Sequence, residues 1–251
     1  MDDIYKADLV KSHERVDFFK REKIQLIQSP DVFNMSADAI LLADFIQLPK
    51  KSFRYLDFCS GNGVIPLLLS VRTEQELFGI ELQAPLVDMA QRSIALNGLQ
   101  DQVTIFQGDI NQINLSQWRE LDIISCNPPY FLVENSTDVH QKTPHAIARH
   151  EIRLTMAQWV SKAAKLLKTK GKLFIVHRPD RLDDIFETLL TFNMSVNRLR
   201  FVYPKAHLNA NIVLIEVINQ GGRRGVKIEP PLVVHNDDNS YTEQMMAIYY
   251  G

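Results

Sequence analysis

Short apolar runs separated by longer stretches of helical periodicity recur along this chain. A strand opening at Tyr55 before a glycine turn, and the runs Leu77–Glu81, Val103–Gln107, Leu121–Cys126 and Lys172–His177, each read as a core strand. Between them lie helical patterns. An apolar helical run follows Gly63, a second helix opens at Pro85 and is stopped by Gly98, and a third spans roughly Thr155 to Leu167 with Gly171 marking its end. Pro179 begins a fourth helix, reaching about Phe192. Two later strands, Val196–Val202 and Ile212–Ile218, are joined by the short segment Tyr203–Asn209, which implies an antiparallel hairpin. Near the start, Lys20 to Asn34 reads as a strand pair containing Ile24, Leu26 and Val32, and Ser36 or Asp38 is placed to cap a helix through Phe45. The alternation of strands and helices predicts an α/β fold. Residues 1–50 form an N-terminal lid or extension of short strands and a helix, and residues 51–251 form the main domain, the whole packing as one unit. Leu132 to His150 is polar, lacks glycine and shows no period, which predicts a mobile loop.

Composition narrows the classes. The 251 residues are 45% hydrophobic, ordinary for a globular protein. A net charge of −2 excludes a generally basic coat for nucleic acid, but a local basic face would suffice for an RNA substrate. Candidates for such a face are Arg178, Arg181, Arg198, Arg200, Lys205, Arg223, Arg224 and Lys227, all late in the chain. Cys59 and Cys126 are the two cysteines. They fall at strand ends on neighbouring elements, and a disulfide framework is not expected, in keeping with a reducing cytoplasm. The first residues lack a signal-peptide pattern, and no apolar run is long enough to span a membrane. His140, His145 and His150 recur at a spacing of five, which matches no metal signature, and no metal is expected.

The chemistry concentrates at strand ends. Asn127-Pro128-Pro129-Tyr130 follows the strand Leu121–Cys126. Two prolines cannot donate to a sheet ladder, so the strand must stop there. An amide side chain, a rigid carbonyl and an aromatic ring are thereby fixed at a strand's carboxyl end, where ligands sit in open parallel sheets. Asn127 Oδ1 and the Pro128 carbonyl are two acceptors for the two protons of a planar NH2 group, and Tyr130 offers a face for stacking. Upstream, Asp57-Phe58-Cys59-Ser60-Gly61-Asn62-Gly63 is a glycine-bearing turn between a strand and a helix, and Gly61 and Gly63 let backbone approach a ligand closely. Glu81 ends the next strand, where an acid bonds ribose hydroxyls in nucleotide-binding units. Asp109 follows the third strand and is placed to accept from an exocyclic amine.

This order of strand–glycine turn, strand–Glu, strand–Asp and strand–Asn-Pro-Pro-Tyr resembles the S-adenosylmethionine-dependent amino methyltransferases, which modify exocyclic or amide nitrogens. Phe33–Ala43, Ala148-Arg149-His150-Glu151, Val176–Arg181, Pro230-Pro231-Leu232 and Ser240-Tyr241-Thr242 look like one branch of it, the bacterial family similar to the valine-tRNA adenine N6-methyltransferase. The resemblance implies a Rossmann-like class I fold: a seven-stranded, mostly parallel sheet with one antiparallel strand and helices on both faces. It implies S-adenosylmethionine bound by Phe33, Ser36, Asp57, Cys59, Gly61, Gly63, Glu81, Leu82, Asp109, Ile110 and Asn127. It further implies catalysis through Asn127, Pro128, Pro129 and Tyr130, and an RNA substrate, tRNA beside the anticodon, touched by Phe131, Arg149, Arg178, Arg181 and Lys205. Two departures or alternatives stand beside it. Cys59 replaces the first glycine of the family's turn, and a negative φ there would still let the turn form. Asp57 either touches ligand or only braces the turn. Rival substrates are a protein glutamine amide, disfavoured by the short segment before the core, a DNA adenine, for which no target-recognition region is visible, and ribosomal RNA. A non-catalytic RNA-binding module is a further class, opposed by the full set of site residues.

Overall fold

The computed structural model describes residues 9–32, 37–129, 154–223 and 225–251. In chain order the elements are β1 (Arg15–Phe19), β2 (Ile24–Gln28), α1 (Ala37–Phe45), β3 (Tyr55–Phe58), α2 (Val64–Ser70), β4 (Leu77–Glu81), α3 (Ala84–Leu96), β5 (Val103–Gln107), α4 (Leu115–Trp118) and β6 (Leu121–Cys126). Then come α5 (Met156–Leu166), β7 (Leu167–His177), α6 (Leu182–Thr191), β8 (Met194–Lys205), β9 (Ile212–Asn219), β10 (Lys227–Ile228), β11 (Leu232–His235) and α7 (Glu243–Tyr250).

The main sheet has the order β10-β8-β9-β7-β6-β3-β4-β5, with β11 also beside β8. From β7 to β5 every pairing is parallel, and β9 runs antiparallel to both β7 and β8. The expected seven strands with one reversed are therefore present. Two short strands extend the sheet beyond them, β10 and β11, both parallel to β8. The strand order reverses between β3 and β6, which makes the carboxyl ends of these two neighbours the switch point of the sheet.

Alternate residues of β3 serve opposite cores. Tyr55 joins Leu67, Phe174 and Val202 under α1 and α2, while Leu56 and Phe58 join Ile124, Cys126, Trp159 and Leu173 under α5. Burial on both faces explains why these strands read as continuous apolar runs. Helix α5 shows the sequence logic in miniature. Its buried side, Trp159, Val160, Ala163 and Leu166, repeats at helical spacing, and Thr155 and Gln158 form a reciprocal capping box at its start. Burying Trp159 contributes roughly 1.5–3 kcal/mol.

The hairpin β1–β2 docks its second strand on α3. Ser93 Oγ accepts from Ile27 N at 3.0 Å, and Asn97 brackets Gln25, accepting from its N–H and donating to its carbonyl. Helix side chains thus take the place of a third strand and satisfy the open edge of β2. The hairpin lies earlier than the expected pair between Lys20 and Asn34, and Val32 is outside it. Arg15–Phe19 shows no buried alternation, because Val16 and Phe18 face solvent and only Phe19 at its end reaches the core.

Other expectations are corrected. Gly171 does not end α5: the helix stops at Leu166, and Gly171 lies within β7 at a break in its register with β6. A Cβ there would meet the Leu121 and Lys168 carbonyls at 2.9 Å. Pro179 opens a single 3-10 turn, and the helix proper begins at Leu182. Asp38 lies inside the first turn of α1 rather than capping it, and Ser36 is outside the described residues. Arg198 is no surface cation. It is 8% exposed, pairs with Glu216 and Glu229 at 2.9 and 2.8 Å, donates to the Phe45 carbonyl and lies 3.8 Å over the Phe45 ring. It ties the end of α1 to β8 and β9.

Candidate active site

The glycine turn between β3 and α2 is built on left-handed residues. Cys59, Gly61 and Gly63 have φ of 53°, 57° and 81°. The turn is closed by its own backbone bonds, Ser60 N donating to the Ile80 carbonyl and Gly63 N to the Ser60 carbonyl. Cys59 was expected to keep a negative φ, and it does not. The turn dictates the conformation at this position, and the side chain adapts at a cost of about 1–2 kcal/mol. Gly63 has a second reason to lack a side chain, since a Cβ would press on Ala90 and Ile105 at 3.3 Å.

Two carboxylates hold the turn. Glu81, at the end of β4, accepts from Gly61 N through Oε2 and from Gln83 N through Oε1, both at 2.9 Å. Each oxygen retains a lone pair, so a ribose diol is still within its capacity. Asp57 lies beneath the turn with no exposed surface. Its Oδ2 accepts from Ser60 Oγ at 2.8 Å, its Oδ1 accepts from Ser125 Oγ, and Ser125 is itself 2.6 Å from the Tyr55 hydroxyl. Of the two roles considered for Asp57, these bonds are those of a brace. Burial pushes its carboxyl up to about 7; the two serine bonds oppose the shift and the Glu81 charge adds to it.

Asp109 caps the 3-10 turn Ile110–Gln112, its Oδ1 accepting from Asn111 N at 2.8 Å, and Ile110 is buried beside it. Gly108 N bonds the Glu81 carbonyl, so the Glu81–Leu82 and Asp109–Ile110 corners are held side by side. Across the switch point, Cys126 pairs with Phe58, which sets Asn127-Pro128 next to the glycine turn. Pro128 is buried, Asn127 half-buried and Pro129 exposed. The structure thus brings Asp57, Cys59, Gly61, Gly63, Glu81, Leu82, Asp109, Ile110 and Asn127 to one edge of the sheet. Phe33, Ser36, Tyr130, Phe131 and Arg149 lie outside the described residues, as does Leu132–His150. Arg178 and Arg181 follow β7 and Lys205 ends β8, all at this same edge. Arg178 and Arg181 pair with Asp180 and Asp184, and Lys205 donates to the Asp237 carbonyl.

Sequence reasoning missed several polar residues that assemble the site. Ser60 and Ser125 satisfy Asp57, and Asn62, 6% exposed, donates to the Ile27 carbonyl and so fastens β2 to the turn. Gly79 was unremarked, yet Ser60 occupies the space where its Cβ would stand. The available signal was a polar residue interrupting an apolar run, as Ser125 does between Ile124 and Cys126.

The methyltransferase small domain model matches residues 23–194. The chain belongs to this methyltransferase family. A relative from Porphyromonas gingivalis, a tRNA1(Val) (adenine(37)-N6)-methyltransferase, is 28% identical over 80% of each chain. Another of the same description, from Tolumonas auensis, is 25% identical over 92% of this chain and 94% of its own. Among solved structures, a predicted O-methyltransferase from Agrobacterium tumefaciens superposes with a TM-score of 0.64, covering 84% of this chain and 95% of its own at 16% identity. That likeness shows the class I methyltransferase fold, and the methyltransferase family to which the chain belongs uses S-adenosylmethionine. The donor set here fits such a group: a tight glycine turn, a carboxylate with free lone pairs at Glu81, and a capped acid at Asp109. No helix among the described residues is long and apolar enough to cross a membrane, and no cluster among them could hold a metal ion.

Proposed function

We propose that this methyltransferase N6-methylates an adenine in RNA, most specifically a tRNA base beside the anticodon. The observation that carries the reading is the juxtaposition, across the switch point, of a braced glycine turn and the paired acceptors of Asn127 and Pro128. The two relatives described as tRNA adenine N6-methyltransferases supply the substrate class. In this reading Gly61, Gly63, Glu81, Leu82, Asp109 and Ile110, with Phe33 and Ser36 from the preceding segment, hold the cofactor. S-adenosylmethionine supplies an electrophilic methyl group on a sulfonium.

The adenine N6 amine is a weak nucleophile because its lone pair is delocalised into the ring. Asn127 Oδ1 and the Pro128 carbonyl accept its two protons and favour a tetrahedral nitrogen with a localised lone pair. No side chain needs to remove a proton first, so positioning and preorganised dipoles do the catalytic work. The base leaves its stack to reach the site, which costs least in a loop. Tyr130 and Phe131 stack on it, worth roughly 1–3 kcal/mol per base. Arg149, Arg178, Arg181 and Lys205 contact phosphates. The protein then works in the cytoplasm, where its substrate is.

The test mixes purified protein and labelled S-adenosylmethionine with total tRNA from a strain lacking the gene, followed by nucleoside mass spectrometry. New N6-methyladenosine in tRNA is expected. Label in ribosomal RNA or at a protein glutamine, with none in tRNA, would keep the Asn127 chemistry and overturn the substrate.

A further inference from the structure

The left-handed backbone of Cys59 is unusual for a position that glycine would occupy without strain. Outliers of this kind gather at functional sites. Cys59 packs against the core that contains Cys126, with Trp159 and Phe58. Phe58 is paired with Cys126 across β3 and β6, so Cys59 is the very next residue along. Both thiols are free, Cys59 against that buried cluster and Cys126 within it. A diagonal neighbour, about 4.8 Å across and about 3.3 Å along, lies roughly 6 Å away, within the Cα separation of about 4.4–6.8 Å that a disulfide bridges.

The two residues also sit at the joint of the site. Cys59 lies between Asp57 and Ser60 in the turn, and Cys126 directly precedes Asn127. We infer that Cys59 and Cys126 form a reversible disulfide on exposure to hydrogen peroxide, and that this bond weakens cofactor binding. Cys59 is half-buried and meets the oxidant first, whereas burial keeps the enclosed Cys126 thiol protonated and makes it the resolving partner. The Cys59 thiolate attacks one peroxide oxygen, the O–O bond breaks, and hydroxide leaves with the proton to become water. Cys126 sulfur then attacks the resulting sulfenic sulfur, an S–S bond forms, and the departing hydroxide takes the Cys126 proton as a second water. Two thiols are oxidised, one peroxide is reduced, and two waters are released. Drawing the sulfurs to the bonded distance of about 2.0 Å displaces Cys59, and with it the Gly61 N–H that Glu81 holds.

Peroxide-treated protein is analysed by non-reducing peptide mapping and by calorimetry with S-adenosylmethionine. The expected result is a peptide pair joined through Cys59 and Cys126, and an affinity loss of about tenfold or more that dithiothreitol reverses. Cys126→Ser, which preserves buried volume, should hold its affinity through the same brief treatment. Oxidation of Cys59 with no joined pair would overturn the inference, as would a joined pair with unchanged affinity, or equal loss in Cys126→Ser. Peptide mapping of the unsubstituted protein decides the matter should that variant fail to fold. None of these readouts depends on which substrate receives the methyl group.

Discussion

The two sides of the switch point are made rigid in different ways. The glycine turn is held by a network: Glu81 on Gly61, Asp57 on Ser60 and Ser125, and Asn62 on Ile27. The Asn127-Pro128 corner follows a strand and is stiffened by covalent chemistry, since each proline fixes its own φ and restrains the residue before it. A networked turn depends on buried polar groups, so its integrity follows protonation, side-chain volume and backbone strain. A proline corner draws its stiffness from the pyrrolidine rings themselves. On the proposed reading, in which the turn holds the cofactor and the proline corner the target base, the two halves should therefore respond to different perturbations.

Asn127→Ala attacks the target half and should have the largest effect. We expect kcat to fall by about 10²–10³-fold or more, as on removing a preorganised polar contact, in single-turnover methyl transfer to tRNA. Next comes the pH response of the networked half. The Asp57 pKa rises from 3.8 unfolded to about 7 folded. The folded chain keeps this proton where the unfolded chain has lost it, so stability falls as pH climbs through that interval and levels off above it. The fall is on the order of a few kcal/mol, and comparing urea unfolding at about pH 5 and about pH 8 should show it diminished in Asp57→Asn. Gly63→Ala adds a left-handed Cβ against Ala90 and Ile105 and should cost about 1–3 kcal/mol in the same unfolding assay. The smallest change expected is a gain: Cys59→Gly relieves the strained φ and should stabilise by about 1 kcal/mol, less whatever contact the thiol makes.

What was readable in the chain follows the same division. Strands β3, β4 and β6 announced themselves as apolar runs because both their faces are covered, and Asn127-Pro128-Pro129 marked its own strand end by what proline cannot do. The network was harder to see. Ser60, Ser125 and Asn62 are ordinary polar residues until β3, β4 and β6 are set side by side, and their partners are remote in sequence. Arg198 looked like a surface cation because its partners Glu216 and Glu229 arrive only when β8 pairs with β9 and β10. Two-residue β10 is too short to show a period at all. Cys59 misled for a local reason: its small side chain suggested an unstrained turn, whereas the turn imposes its conformation whatever residue stands there.

The most direct test of this division is calorimetric titration of S-adenosylmethionine into two variants, Asn127→Ala and Glu81→Gln, beside the unsubstituted protein. The account predicts that Asn127→Ala binds within a few-fold of normal while Glu81→Gln loses about tenfold or more. Loss of cofactor affinity in Asn127→Ala, or normal affinity in Glu81→Gln, would contradict it.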